Sequence, residues 1–154
     1  MNSSIFLIAS GEKWIGQGVQ PFQTVIEEMI RKASHHLALT VFTVTDDGIV
    51  CDIEDALRRG IAVDIFHWDK DPSLNSAAIA HLRRLKNEHA NLKTHIISDH
   101  RLHAKVVVAD SMKVLIGSAN LTYSAMLDNY ELGVLIDDGK MAHDVLGLLG
   151  RLTD

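Results

Sequence analysis

Short apolar runs rich in β-branched residues recur along this chain, and amphipathic stretches lie between most of them. Runs of four to eight such residues suit strands, and apolar residues three and four apart suit helices. Their alternation therefore constrains the chain to an α/β layer. Strands are expected at Ser4–Ala9 (as a buried strand), His36–Phe42, Ile61–His67, Leu92–Ile97, Ala104–Ala109, Lys113–Gly117 and Tyr130–Ile136. Phe22, Val25, Ile26, Met29, Ile30 and Ala33 form one apolar helix face, and Pro21 suits its start. Asp46 or Asp47 can cap a second helix, with Ile49, Val50, Ile53, Ala56 and Leu57 inward and Gly60 as its stop. Ser76–Glu88 and Lys140–Leu152 read as two more helices, and Thr122–Leu127 as a short helix or turn. The expected fold is α/β: a mixed, mostly parallel central sheet flanked by helices on both faces, in a single domain over residues 1–154.

Composition removes several function classes. A single cysteine, Cys51, excludes an intramolecular disulfide framework and a Cys-based zinc ribbon, and fits a reducing compartment. Met1–Gly11 carries no Lys or Arg, and its apolar run Ile5–Ala9 is too short for a secretory core or a membrane span. Asn2 excludes the N-myristoylation pattern. The expectation is a soluble, cytoplasmic chain with no membrane partner. Its net charge of −5 argues against a general nucleic-acid coat. The charge is uneven, however. Residues 81–105 hold six Lys/Arg against two acids, and also five of the nine His. A basic segment in an acidic chain suggests a focused anion site.

The chemistry is concentrated in His103-Ala-Lys105, Asp110 and Gly117-Ser118-Ala-Asn120. On a strand, positions i and i+2 share a face, so His103 and Lys105 point the same way. A histidine that attacks or shuttles protons, beside a lysine that holds an anion, suits phosphoryl chemistry. Gly117 leaves room for backbone to approach a ligand. Ser118 and Asn120 add neutral hydrogen-bonding groups at a strand end. Glu131 opens the next strand, where a carboxylate can accept from the ring nitrogen of His103 that does not attack.

The pattern His-x-Lys-x4-Asp-x6-Gly-Ser-x-Asn resembles the signature of the phospholipase D superfamily, and His103, Lys105, Asp110, Gly117, Ser118 and Asn120 fill every fixed position. Independent residue frequencies put six such matches at a chance on the order of 10⁻⁵ or below. Asn129-Tyr130-Glu131 before Leu132–Ile136 is similar to the family's tail, and the stretch His36–His67 to its first half. The resemblance implies phosphodiester cleavage in two steps through a phosphohistidine, with no metal ion or other cofactor. It implies that His103 is the nucleophile, that Lys105, Ser118 and Asn120 bind phosphate oxygens, and that Glu131 orients His103. It makes Asp110 a residue of local strand and loop geometry. The family's site uses two such motifs, one His to attack and one to protonate the leaving oxygen. This chain has one, since His67-Trp-Asp-Lys70 and His89-Ala-Asn-Leu-Lys93 miss the spacing. The resemblance thus implies a homodimer whose two-fold axis runs through a shared active site.

Other residues are weighed against plainer roles. Arg101 and His100 are candidates for a second phosphate contact, and Trp68 with Asp69–Ser73 for the rim of the site. Trp14 can line the cleft or the dimer contact, while Gly16-Gln-Gly18 reads as a flexible loop. Arg83, Arg84 and Lys86 read as a solvated helix face or a nucleic-acid contact. His35, His36, His81, His89 and His143 read as solvated. A metal at His100, His103 and Asp99, or at His67 and Asp69, matches no standard ligand spacing, and Lys105 would repel a cation. The favoured function is a nuclease hydrolysing DNA or RNA. A phospholipid phosphodiesterase and a non-catalytic nucleic-acid-binding member are the alternatives.

Overall fold

The computed structural model describes residues 3–154, so Asn2 lies outside the described residues. The first strand is β1 (Ser4–Ala9), and a two-residue strand, β2 (Gln20–Pro21), leads into α1 (Phe22–Lys32). Next come β3 (His36–Val41), α2 (Asp47–Arg58), β4 (Ala62–Trp68), α3 (Ala77–Glu88) and β5 (Leu92–Ile97). The second half is β6 (Val106–Ala109), β7 (Lys113–Gly117), α4 (Tyr123–Leu127), β8 (Leu132–Asp137) and α5 (Gly139–Gly150). Local chemistry explains the boundaries. Asp46 accepts from the Gly48 and Ile49 N–H groups at the start of α2, and Ser76, Thr122 and Asp138 cap α3, α4 and α5. Pro21 sits at the N-cap of α1, and Gly60, at φ 87°, ends α2.

The strands form one eight-stranded sheet in the order β2-β1-β8-β7-β6-β3-β4-β5. It is mixed, as expected, but not mostly parallel. Of its seven pairings, β1–β2, β3–β4 and β4–β5 are parallel, and β1–β8, β8–β7, β7–β6 and β6–β3 are antiparallel. The βα repeats run only through β5. β6 and β7 then form a tight hairpin, and β8 returns beside β7 after α4, both antiparallel.

Helices cover both faces, unequally. One core cluster joins α1, α2, α3 and α4 to the sheet through residues such as Phe22, Ile26, Ile53, Leu85 and Met126. The opposite cluster packs Ala142, Val145 and Leu149 of α5 on Val108, Val114 and Ile136. Since α5 is a single helix, part of that second face stays open. β1 is consequently not buried throughout: Ile5 and Leu7 on that face are 66% and 55% exposed, and Phe6 on the opposite face is 48% exposed.

This topology collects one end of the sheet into a site. β3 and β4 end there, the chain enters β6 there, β7 ends there and β8 begins there. His103 and Lys105 therefore meet Phe42 from the first half of the chain, whereas Asp110 lies at the opposite end of the sheet beside Ser34–His36.

Candidate active site

His103 and Lys105 lie in the extended segment that leads into β6, not within the strand. They still face the same way: Lys105 Nζ lies 3.2 Å from His103 Nε2 and donates to the His103 carbonyl at 2.9 Å. A ring nitrogen that faces an ammonium is an acceptor, which leaves the proton of the neutral ring on Nδ1. The Lys105 charge, with burial and Arg101 in support, pushes the His103 imidazole below its usual range. Lys105 is itself pushed down, by burial first and by Arg101, with the Glu131 carboxylate opposing.

The segment is held from β3 by a residue that no motif reading signals. The β3–β6 ladder pairs Leu39 with Val107 and goes no further. Beyond that point the hydroxyl of Thr40 replaces it, donating to the Ala104 carbonyl at 2.7 Å and accepting the Val106 N–H at 2.9 Å. Thr40 is 4% exposed. It positions the backbone on both sides of Lys105.

Ser118 follows β7, and its N–H donates to the Leu132 carbonyl at 3.0 Å. Its hydroxyl accepts the Leu132 N–H at 3.1 Å and donates to Glu131. Within one chain, then, Glu131 holds Ser118 and accepts from Asn129 Nδ2 at 3.2 Å, whereas Lys105 is the partner of His103. This differs from the expectation that Glu131 orients His103. Asn120 Oδ1 is buried without a partner among the described residues. Its amide lies in the same recess as Thr40, Phe42 and Lys105.

Two motif positions do scaffolding work. The Asp110 carboxylate accepts the N–H groups of Ser34, His35 and His36 and the Ser34 hydroxyl, at 2.8 to 3.1 Å. Burial would raise its pKa, but these donors outweigh it and pull the carboxyl below its usual range. Gly117 does not open space for a ligand. A Cβ there would lie 2.6 Å from Phe22 Cζ and 3.0 Å from the Leu132 carbonyl, so the room is filled by Phe22.

The rim is aromatic and cationic. His103 packs edge-on against Phe42, with ring centroids 4.5 Å apart. Phe42 stacks on Trp68 at 6.0 Å and 14°. The exposed Arg101 guanidinium lies 4.7 Å from the Phe42 ring and 5.5 Å from Trp68. His100 is not gathered in with these groups; it is exposed and bonds the neighbouring Asp99 at 3.2 Å. The Glu131 segment is clamped from the end of β1. Buried Ser10 donates to the Asn129 carbonyl at 2.7 Å and accepts the Glu131 N–H at 3.2 Å. Tyr130 covers Gly11 and meets Trp14 at 4.9 Å.

The basic segment divides rather than focuses. Arg101 and Lys105 reach the site, Arg83 and Lys86 line an apolar recess with His67 and Asp69, and Arg84 pairs with Glu54 and Glu88. Two histidines read as solvated are bonded instead. His36 and His95 donate to opposite oxygens of Asp64 at 2.8 and 2.6 Å, and His81 bridges Asp47 and Glu54. Among the described residues, neither His100, His103 and Asp99 nor His67 and Asp69 forms a converging metal-ligand group; Asp47, Cys51 and His81 do. No helix among the described residues is long and apolar enough to cross a membrane.

Residues 26–152 match the family described as cardiolipin synthase, PLD-like domain. The DISARM protein DrmC of Bacillus paralicheniformis is 29% identical over 145 residues, which are 90% of this chain and 59% of that one. Cardiolipin synthase A of Buchnera aphidicola is 26% identical over 153 residues, 99% of this chain and 31% of that protein. The chain thus spans from about a third to three-fifths of these relatives. The crystal structure of Nuc, a phospholipase D family member from Salmonella typhimurium, superposes with a TM-score of 0.81 at 23% identity, over 97% of this chain and 93% of Nuc. With the pattern matched from Ile26 to Leu152 and the fold shared along nearly its whole length, the chain belongs to the phospholipase D superfamily.

Proposed function

We propose that the protein is a metal-independent phosphodiesterase that hydrolyses DNA or RNA, with one active site shared between two copies. One observation carries this reading: a single, solvent-facing His103 beside Lys105, Ser118 and Asn120, flanked by an aromatic and arginine surface.

In the first step the unprotonated Nε2 of one copy's His103 attacks phosphorus, and the P–O bond to the leaving group breaks. Lys105 and Asn120 hold the non-bridging oxygens as negative charge builds on them, and Ser118, steadied by Glu131, lies beside them. The leaving oxygen needs a proton that His103, now bonded to phosphorus, cannot give. The His103 of a second copy supplies it. That histidine then takes a proton from water, the water attacks phosphorus, and the P–N bond breaks. Each proton transfer contributes about 10²–10⁴ in rate.

The surface supports a second copy as the partner. Ile5 and Leu7 of β1, Leu132 of β8 and Ile116 of β7 share the sheet face that α5 leaves open, and the strip runs up to Ser118. They are 66%, 55%, 51% and 37% exposed. An uncovered apolar strip ending at an incomplete site suits an isologous contact. Half-buried Trp68 and exposed Arg101, backed by buried Phe42, favour a nucleic-acid substrate, because bases stack on aromatic and guanidinium planes. Relatives named cardiolipin synthase make a phospholipid the competing substrate.

The test is incubation with single- and double-stranded DNA, RNA and phospholipid vesicles in excess chelator, with H103A as control. Nucleic-acid cleavage lost in H103A is the expected result. Lipid turnover alone supports the lipid reading, and binding without turnover supports a non-catalytic role. Full activity in a particle that sediments as a monomer overturns the shared site.

A further inference from the structure

α2 and α3 pack side by side on one face of the sheet, and their contact gathers three metal-ligating side chains of different kinds. Asp47 and Cys51 are four residues apart on α2 and so share a face, and His81 meets them from α3. One ligand atom from each lies within 4.8 Å of the others. His81 is fixed in orientation: Nδ1 lies 2.9 Å from Asp47 Oδ1, and Nε2 donates to Glu54 Oε2 at 2.7 Å. Its side chain is 13% exposed, and Glu54 is paired in turn with Arg58 and Arg84. A carboxylate behind one ring nitrogen, holding the other toward further donors, is the usual support of a metal-bound histidine.

We infer that Asp47, Cys51 and His81 form a Zn²⁺ site, with Glu54 as the positioning carboxylate and water as the fourth ligand. Thiolate with imidazole and carboxylate suits zinc better than the hard cations, which prefer oxygen. Tetrahedral zinc with bonds of about 2.0–2.3 Å places its donors roughly 3.3–3.8 Å apart. The His81 Nδ1–Asp47 Oδ1 pair at 2.9 Å therefore opens by roughly 0.5 Å, and Cys51, within 4.8 Å of both, closes by about 1 Å at most, which exposed Asp47 and Cys51 allow by rotamer change. Binding releases the Cys51 thiol proton and the proton shared between His81 Nδ1 and Asp47; nothing is oxidised. The site is not at the phosphate-binding residues, and its role is mechanical. It ties α3 to the first turn of α2, which follows Thr45 and Asp46. Their N–H groups donate to the Leu121 carbonyl at 3.0 and 3.2 Å, next to Asn120.

The plainer arrangement is a protonated His81 shared by two carboxylates with no metal. The single cysteine separates the two, since any cobalt–thiolate absorption reports Cys51. Chelator-stripped protein is titrated with CoCl₂ and then ZnCl₂. The expected result is a sulfur-to-cobalt charge-transfer band that saturates at one equivalent per chain and is displaced by zinc. The band is abolished in C51S. Its affinity falls at least tenfold in H81A or D47N, and 10- to 100-fold in E54Q. Zinc raises the unfolding temperature of the parent and not of C51S. Absence of the band, or a band unchanged in both H81A and D47N, overturns the site.

Discussion

Replacing Thr40 by valine isolates the clamp on the catalytic segment. Valine fills the same space, so the change removes a hydroxyl without creating a cavity. The Val106 N–H, held at 2.9 Å, loses its acceptor in a half-buried position, and the Ala104 carbonyl, held at 2.7 Å, loses its donor near solvent. A buried donor left unpaired costs about 1–3 kcal/mol, and an exposed acceptor costs about 0.5–1 kcal/mol because water replaces its partner. The expected loss is about 1.5–4 kcal/mol. Urea unfolding at fixed protein concentration should show it as a lower midpoint with an unchanged slope. Thr40→Ser keeps the hydroxyl and loses one methyl group, for about 1 kcal/mol. Activity separates positioning from stability. With Lys105 flanked by two released backbone groups, kcat in T40V should fall by about 10- to 10²-fold below the unfolding range, and T40S should recover most of it. A T40V protein within about 0.5 kcal/mol of the parent, or a T40S protein as impaired as T40V, would refute the clamp.

The other expectations test separate features. Lys105→Met removes the main cause of the depressed His103 pKa, so the ring should titrate closer to the ordinary value of about 6.5, and Arg101→Gln should move it less; NMR of the ring protons reads both. Asp110→Asn should cost about 1.5–3 kcal/mol at neutral pH through weakened charge-assisted bonds. Because the folded pKa lies below the unfolded value, that difference is complete above about pH 4 and is lost as pH falls through the folded pKa, which parallel unfolding curves would show. Gly117→Ala presses a methyl group onto Phe22 and should cost about 1–3 kcal/mol, with partial recovery in the double variant carrying Phe22→Leu. Trp68→Ala should weaken single-stranded nucleic-acid binding by about 1–3 kcal/mol per stacked base while leaving the fold intact; unchanged affinity would remove Trp68 from the substrate path.

The residues that carry chemistry were legible because they are close in sequence. His103 and Lys105 are two apart, and their shared orientation needs only an extended backbone. Helix faces and caps were legible for the same reason. Phe22 to Ile30 repeat with the helix period, and Asp46, Ser76 and Thr122 bond N–H groups two or three residues on. The clamps were not legible. Thr40 reaches Ala104 across 64 positions, and Ser10 reaches Asn129 across 119. A threonine in a β-branched run and a serine at a strand end look ordinary until the partner strand is known. The solvated reading of His36 and His81 failed likewise, since their carboxylates lie on the next strand or helix.

By itself, then, the amino-acid sequence determined the element types, the caps and the His-x-Lys pattern with its downstream Ser and Asn. These depend on periodicity and on contacts within a turn or a strand step. Only the tertiary structure decided which strands are neighbours: that β6 enters antiparallel beside β3, that β1 closes on β8, and that α5 is the helix packed on the second face. Strand order follows from burying the whole apolar surface at once, and no local segment encodes that sum. The order sets Thr40 behind Lys105 and Ser10 behind Glu131, and it leaves the strip of Leu7, Ile116 and Leu132 open beside a site that holds one histidine.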